Sequence, residues 1–432
     1  MQKRHRRWLF AMACLLIGAN IWLQLSGTNS PNPYQVWGVL IGLTLLILSL
    51  VKYPSWAARL TLILLIMMVN VTLLEGMLRL HSIVQSGNTD TIHLIDDDEL
   101  IWRVRPGTME TDANGWRNAQ IPDVVDIVAL GDSQTWGFNA RIDESWPAVL
   151  AAQSGRSVYN MGLAGYGTLD YMTLFEEALA MQPETVIVGL YSGNDFYNAV
   201  NRVYTKAAFE TWRQSDTTQR HDDLAALDAR IKAEEDRLTA IENPSSGVAL
   251  FLKKTEIGTQ LTSFYDRIRP VSPEFFQTEW TDSHTYAFYH TDNQIYYLTP
   301  AYRLHALNTD ERLIREGIDL SYRALLEMQQ MAAENDVQLL VVLIPTKELV
   351  YMDSVSAPDW HIFHDLIAAE TAIWEEVRVW LQAQNIVYVD TLPALNASAD
   401  RSIYPTNTDG HPLPEGYRII ASVVAEKLAG SP

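Results

Sequence analysis

The sequence predicts an α/β protein, a parallel sheet of about five strands covered by helices on both faces and preceded by an amino-terminal region of membrane-spanning helices. Three observations carry this. Short β-branched apolar runs alternate with helical periodicities from about residue 120, polar residues suited to chemistry recur just after those runs, and three long apolar stretches fill the first eighty residues.

The apolar stretches run from Trp8 to Leu25, Val36 to Val51 and Leu60 to Leu78. Each is near the roughly 20 residues a helix needs to cross the hydrocarbon core, the second being the shortest. Lys3, Arg4, Arg6 and Arg7 precede the first, and Lys52 and Arg59 separate the second from the third, whereas Ser26 to Gln35 holds no Lys or Arg. Positive charge stays cytoplasmic, so three spans place everything after about Arg79 on the extracytoplasmic side of a bacterial-type inner membrane, and two would leave it inside. The basic start resembles a signal peptide, but the two further runs point to anchoring instead of cleavage. Asn70 and Glu75, costly in lipid, are accommodated by hydrogen bonding between helices and by closeness to the outer end.

The charge is as uneven as the hydropathy. Of 32 basic and 52 acidic residues, residues 1–80 hold seven basic and one acidic, leaving 25 against 51, a net −26, for the remainder. So acidic a body lacks the basic footprint of a nucleic-acid binder. A 48% hydrophobic and 19% charged chain of 432 residues is suited to a packed core. The single cysteine, Cys14, excludes an intrachain disulfide and a cysteine-based metal site.

The strands are expected at Asp126 to Leu130, Ser157 to Tyr159, Thr185 to Tyr191, Val337 to Ile344 and Ile386 to Val389. The expected division is an anchor at 1–80, a connecting segment at 81–119 and a main domain at 120–430, interrupted by an insertion at about 196–305. Within the insertion, Leu224, Leu227, Ile231, Leu238 and Ile241 fall on helical spacing, the pattern of a helix packed on its own domain. The aromatic residues that follow, from Phe264 to Tyr302, read mainly as core, with a sugar or acyl platform as the alternative. His284 and His290 near Asp282 and Asp292 match no metal-binding spacing.

In a parallel α/β sheet, ligands bind beyond the carboxyl ends of the strands. Gly131-Asp132-Ser133-Gln134-Thr135-Trp136-Gly137 follows the first strand, Asn160 to Thr168 the second, Ser192-Gly193-Asn194-Asp195 the third, and Thr408-Asp409-Gly410-His411-Pro412 precedes the last helix. Together these are the parts of a serine acyl-transfer site. A hydroxyl needs a base to become a nucleophile, so Ser133 needs His411, and the imidazole needs a carboxylate such as Asp409 to hold its tautomer. The N–H groups of Ser133 and Gly165 and the side-chain amide of Asn194 can serve as oxyanion donors. Asp132 and Gly193 support these elements, and Asp195 reads as structural. Each block taken alone is ordinary turn chemistry.

Taken together, the four blocks resemble the SGNH, or GDSL, hydrolase family over roughly residues 110 to 430 without the insertion. The resemblance implies a flavodoxin-like three-layer α/β/α fold and ester chemistry with no metal or cofactor. It also implies Ser133 as nucleophile, His411 as base, and Ser133, Gly165 and Asn194 as the oxyanion hole. The commoner family pattern is Asp-x-x-His, which falls on Thr408. Asp409, two residues before His411, resembles the Asp-Gly-His form of other members, and if its side chain fails to reach the imidazole, a backbone carbonyl is left to orient His411. Asn114-Gly115-Trp116-Arg117 and Ile344-Pro345-Thr346-Lys347-Glu348 resemble segments of membrane-tethered members and of polysaccharide O-acetyltransferases, with no role carried over.

Three functions follow as expectations. The first is an esterase acting on an acylated envelope carbohydrate or lipid. The second is an O-acyltransferase working with a membrane acyl-donor partner, and the third a non-catalytic glycan-binding or assembly protein on the same fold. Intact blocks favour the first two over the third, and the absence of any acyl-transporting module favours the esterase.

Overall fold

Five apolar runs form one parallel sheet: β1 (Ile127–Gly131), β2 (Val158–Gly162), β3 (Thr185–Tyr191), β4 (Gln338–Ile344) and β5 (Val387–Asp390). Their spatial order is β2-β1-β3-β4-β5, the flavodoxin-like arrangement whose switch point lies where the chain reverses direction across the sheet. The computed structural model describes residues 94–107, 110–242, 284–289, 294–355 and 359–430. The three amino-terminal apolar runs lie outside these residues, as do His290, Asp282 and the aromatic residues from Phe264 to Trp280. Among the described residues no helix is long and apolar enough to cross a membrane.

The helices are α1 (Ser133–Trp136), α2 (Trp146–Ser154), α3 (Thr168–Ala180), α4 (Asp195–Thr205), α5 (Thr217–Glu242), α6 (Pro300–Leu307), α7 (Arg312–Glu334), α8 (Lys347–Val350), α9 (His361–Ala383), α10 (Leu392–Asn396) and α11 (Pro414–Ala429). Strand side chains alternate between faces, so Val128, Leu130, Val186, Val188, Val341 and Leu343 join one core with α3, α4 and α7. Ile127, Ala129, Ile187, Leu340 and Val342 join another with α2 and α11. Burial on both sides is why these strands read as unbroken apolar runs.

Two boundaries differ from the sequence expectation. Residues 94–119 are more than a connection: Leu94–Ile95 pairs with Arg103–Val104, and Leu100, Val104 and Trp116 are buried in the main core. The insertion begins after Thr205, because α4 is a layer helix whose Phe196, Ala199, Val200 and Val203 are buried. Beyond it, α5 packs Leu224 and Leu227 into the same core, and Tyr286, Phe288 and Tyr296 of a hairpin (Tyr286–Tyr289 with Ile295–Leu298) fill the other.

Candidate active site

The chain leaves β1 at Gly131 and turns at once into α1, so Ser133 stands at the carboxyl edge of the sheet. Asp132 caps that helix: its Oδ1 accepts from the Gln134 N–H at 2.8 Å. Close packing holds the turn from below, since a Cβ on Gly162 would fall 2.7 Å from the Trp136 nitrogen. Arg117, 6% exposed, closes the other end by donating to the carbonyls of Trp136, Gly137 and Ala140 at 2.9, 2.8 and 2.8 Å. A guanidinium there satisfies the carbonyls that a short helix leaves unpaired.

From the loop before α11, His411 brings its Nε2 to 2.8 Å from Ser133 Oγ and its Nδ1 to 2.6 Å from Asp409 Oδ1. Asp409 therefore reaches the imidazole from two residues away. Its Oδ1 also accepts the His411 backbone N–H at 2.9 Å, and its Oδ2 accepts from Asn139 Nδ2 at 2.8 Å. Burial opposes ionisation of Asp409, but the His411 hydrogen bond and charge, the backbone N–H and the Asn139 amide together hold its carboxyl well below the usual range. An ionised Asp409 fixes the Nδ1–H tautomer, leaving Nε2 free to accept the Ser133 proton.

Gly165, Gly193 and Asn194 line one cleft of about 290 Å³. Gly165 adopts φ +81°, a left-handed conformation that favours glycine, and Trp102 packs against the face where a Cβ would point. The loop is tied down by a buried ion pair. Asp170 accepts from Arg202 Nε at 3.1 Å and from the Gly167 N–H at 2.9 Å, while Arg202 Nη2 donates to the Gly165 carbonyl at 3.2 Å. Across the cleft stand Asp228, Ile231, Lys232 and Glu235 of α5, with Tyr197, Tyr302 and Ala306.

Beneath Ser133 lie two buried carboxyl groups, Asp132 and Asp195, and both bind their protons more tightly than usual. Burial pushes Asp132 up to about 6, against its hydrogen bond with Gln134 and the nearby His411. Asp195, which accepts from Tyr171 Oη at 2.9 Å and the Tyr191 N–H at 2.8 Å, is raised well above its ordinary value by burial and then by the Asp132 charge. Since Asp132 binds its proton more tightly folded than unfolded, its stabilisation is full below the ordinary 3.8 and drains away as pH rises through about 6. Thermal melts of Asp132→Asn against wild type are therefore expected to diverge in the variant's favour between pH 4.5 and 7. A gap that stays constant across that window would refute the linkage.

Ser133, His411 and Asp409 thus meet in one hydrogen-bonded line, with Asp132 under the serine and Gly165, Gly193 and Asn194 gathered on the neighbouring cleft. The sequence contains no local signal for Asn139, whose φ of +62° turns its amide toward a residue 270 positions away. Arg117 and Lys347 lie in segments that attract attention in the sequence but reveal their contacts only in three dimensions. Among the described residues no group of three His, Cys, Asp or Glu side chains is placed to hold a metal ion, and His284 instead contacts Glu234, Nδ1 to Oε1, at 2.6 Å.

Residues 129–280 match the GDSL-like lipase/acylhydrolase family, a span that includes Ser133, Gly165 and Asn194 and ends before Asp409 and His411. No curated protein matches this chain. Solved structures similar to it include a protein ascribed to the lipolytic G-D-S-L family from Desulfitobacterium hafniense, with 15% identity over 69% of this chain and 97% of that one and a TM-score of 0.31. A lipolytic G-D-S-L family member from Veillonella parvula shows 12% identity over 71% and 100%, with a TM-score of 0.33. A catalytic mutant of an acetylxylan esterase from Geobacillus stearothermophilus shows 14% identity over 72% and 97%, with a TM-score of 0.33.

Proposed function

We propose, on the premise that this chain belongs to the GDSL-like lipase/acylhydrolase family and is a serine hydrolase of ester bonds, that it is a membrane-anchored, extracytoplasmic esterase removing acetyl groups from a cell-envelope carbohydrate. The observation that carries the proposal is the line Ser133–His411–Asp409, closed by contacts of 2.8 and 2.6 Å, beside a cleft whose wall mixes charged, amide and tyrosine side chains. The three apolar runs and the charge between them support the anchor and the orientation.

In this reading Ser133 Oγ attacks the ester carbonyl while its proton passes to His411 Nε2. The tetrahedral oxyanion is met by the N–H groups of Ser133 and Gly165 and the amide of Asn194. The imidazolium, paired with Asp409, returns the proton to the departing sugar hydroxyl, leaving acyl-Ser133. Water then repeats the sequence with His411 as base, releasing the carboxylic acid and restoring the serine.

The cleft favours a carbohydrate over a lipid. Its wall carries Asp228, Lys232, Glu235 and two tyrosines against only Ile231 and Ala306 as aliphatic side chains, a lining that hydrogen-bonds hydroxyl groups and offers aromatic faces to sugar rings. Tyr197 Oη donates to Asp228 at 2.6 Å and Tyr302 Oη to Glu235 at 3.2 Å, so both rings are held in place.

The test uses the full-length protein in detergent, with p-nitrophenyl acetate and an acetylated neutral oligosaccharide as substrates. Free acetate is expected from both. Tyr302→Ala is expected to raise KM for the oligosaccharide by about threefold to tenfold, the loss of one aromatic contact, and to leave the aryl ester within twofold. Acetate delivered to a second oligosaccharide instead of water would make the protein a transferase. Rapid aryl ester hydrolysis with an untouched oligosaccharide would refute the carbohydrate assignment.

A further inference from the structure

Lys347 opens α8 just beyond the carboxyl end of β4, and its side chain is 1% exposed. Its Nζ donates to the backbone carbonyls of Pro405 and Asn407 at 2.7 Å each, with the Asp409 carbonyl at 3.4 Å. An ammonium has three N–H donors and no acceptor, so three convergent carbonyls match its whole donor set. The remaining face of the head group looks onto the Tyr296 ring, 5.8 Å from its centroid. Burial disfavours the charged head group, and the nearby charges of Glu348 and Asp409 favour it, although Glu348 makes no hydrogen bond to it and its Oε1 accepts instead from the Thr299 N–H at 2.8 Å.

The carbonyls come from alternate residues of the loop that carries Asp409 and His411. That loop makes no strand or helix, and its polar backbone is gathered instead on one side chain. The intervening Thr406 carbonyl accepts from the Tyr297 N–H at 2.9 Å. Arg303 also packs against the turn, since a Cβ on Gly410 would fall 2.4 Å from its Nη2. Burying an ammonium costs several kcal/mol where a Met or Leu would fill the same volume without that penalty. What the ammonium does, and an apolar side chain cannot, is hold three carbonyls at a common point.

We propose that Lys347 is a positioning residue for the base: by gathering the carbonyls of Pro405, Asn407 and Asp409 it sets the distance at which the His411 imidazole meets Ser133. The proposal rests on the reading of His411 as the base and goes beyond it, because Lys347 touches neither Ser133 nor the cleft. Displacing a reacting group by about 1 Å costs on the order of a hundredfold in rate, so a loosened loop should lower turnover without weakening substrate binding.

Full-length Lys347→Met and Lys347→Arg are compared with wild type in p-nitrophenyl acetate hydrolysis and in the rate at which a fluorophosphonate labels Ser133. Thermal melting monitors folding. In folded Lys347→Met, kcat is expected to fall about 30- to 100-fold with KM within twofold, and labelling to slow in proportion. Lys347→Arg, which keeps cationic donors, is expected to recover at least about threefold of that loss. A folded Lys347→Met with kcat within threefold of wild type overturns the proposal, as does a rise in KM at constant kcat. Should Lys347→Met not fold, Lys347→Gln, with two donors on a shorter stem, is read by the same criteria. A wild type that the phosphonate does not label would instead refute the reading of Ser133 and His411, and the proposal with it.

Discussion

Ser133→Ala is expected to lower kcat for p-nitrophenyl acetate by about 10⁴- to 10⁶-fold, with little change in melting temperature. The substitution removes one oxygen from a residue 7% exposed, and the α1 turn does not depend on that oxygen. The cap is Asp132, and the far end is held by Arg117. The loss is therefore one of chemistry and not of folding. His411→Ala should cost about as much, and the double variant hardly more, because a base without its nucleophile contributes nothing. Residual hydrolysis above the uncatalysed rate is expected from the oxyanion donors alone. A Ser133→Ala protein within tenfold of wild type, free of contaminating esterase, would remove Ser133 from the mechanism.

Asp409→Asn is expected to cost about 10³- to 10⁴-fold in kcat with KM nearly unchanged. The contacts around Asp409 explain why an isosteric change is so damaging. Its Oδ1 accepts from both the His411 N–H and Nδ1, and its Oδ2 accepts from Asn139. An amide in this place must point its NH₂ at one of these donors. Facing His411, it turns Nδ1 into an acceptor and moves the proton to Nε2, where Ser133 can no longer deliver its own. Facing Asn139, it sets two amide donors against each other. Asn139→Ala in the Asp409→Asn background removes that second conflict, so the double variant should be faster than Asp409→Asn alone by about tenfold, a non-additivity confined to neighbouring groups. Equal rates for the two would show that Asn139 does not govern how this carboxylate is presented.

One physical distinction separates the features that show in the sequence from those that do not. The β strands were legible because a strand buried on both faces needs apolar side chains at every position, and a short continuous run such as Thr185 to Tyr191 leaves few other folds open. The candidate reacting residues stand out in the sequence for a related reason. A parallel sheet places every strand's carboxyl end on one edge, so Ser133, Gly165 and Asn194 had to converge once their strands were recognised. Their types, with a His preceded by an Asp near the end, then point to serine acyl-transfer chemistry.

The supports were not legible, since none follows from local periodicity. Lys347 meets its carbonyls 58, 60 and 62 residues away, Asn139 meets Asp409 across 270, and Arg202 meets Gly165 across 37. Whether a lysine three residues past a strand turns outward to solvent or inward to three carbonyls depends on where a distant loop lands. The spacing of Asp409 was undecided in the sequence for the same reason. An acid two residues before its histidine reaches the imidazole only if the turn lets one oxygen accept both the backbone and ring N–H groups, as it does here. The sequence alone thus determined the strands and their shared edge and pointed to the candidate reacting groups, because these rest on side-chain type and short-range pattern. The tertiary structure decided how those groups are held, because buried hydrogen bonds between distant segments form only once the chain has closed around them.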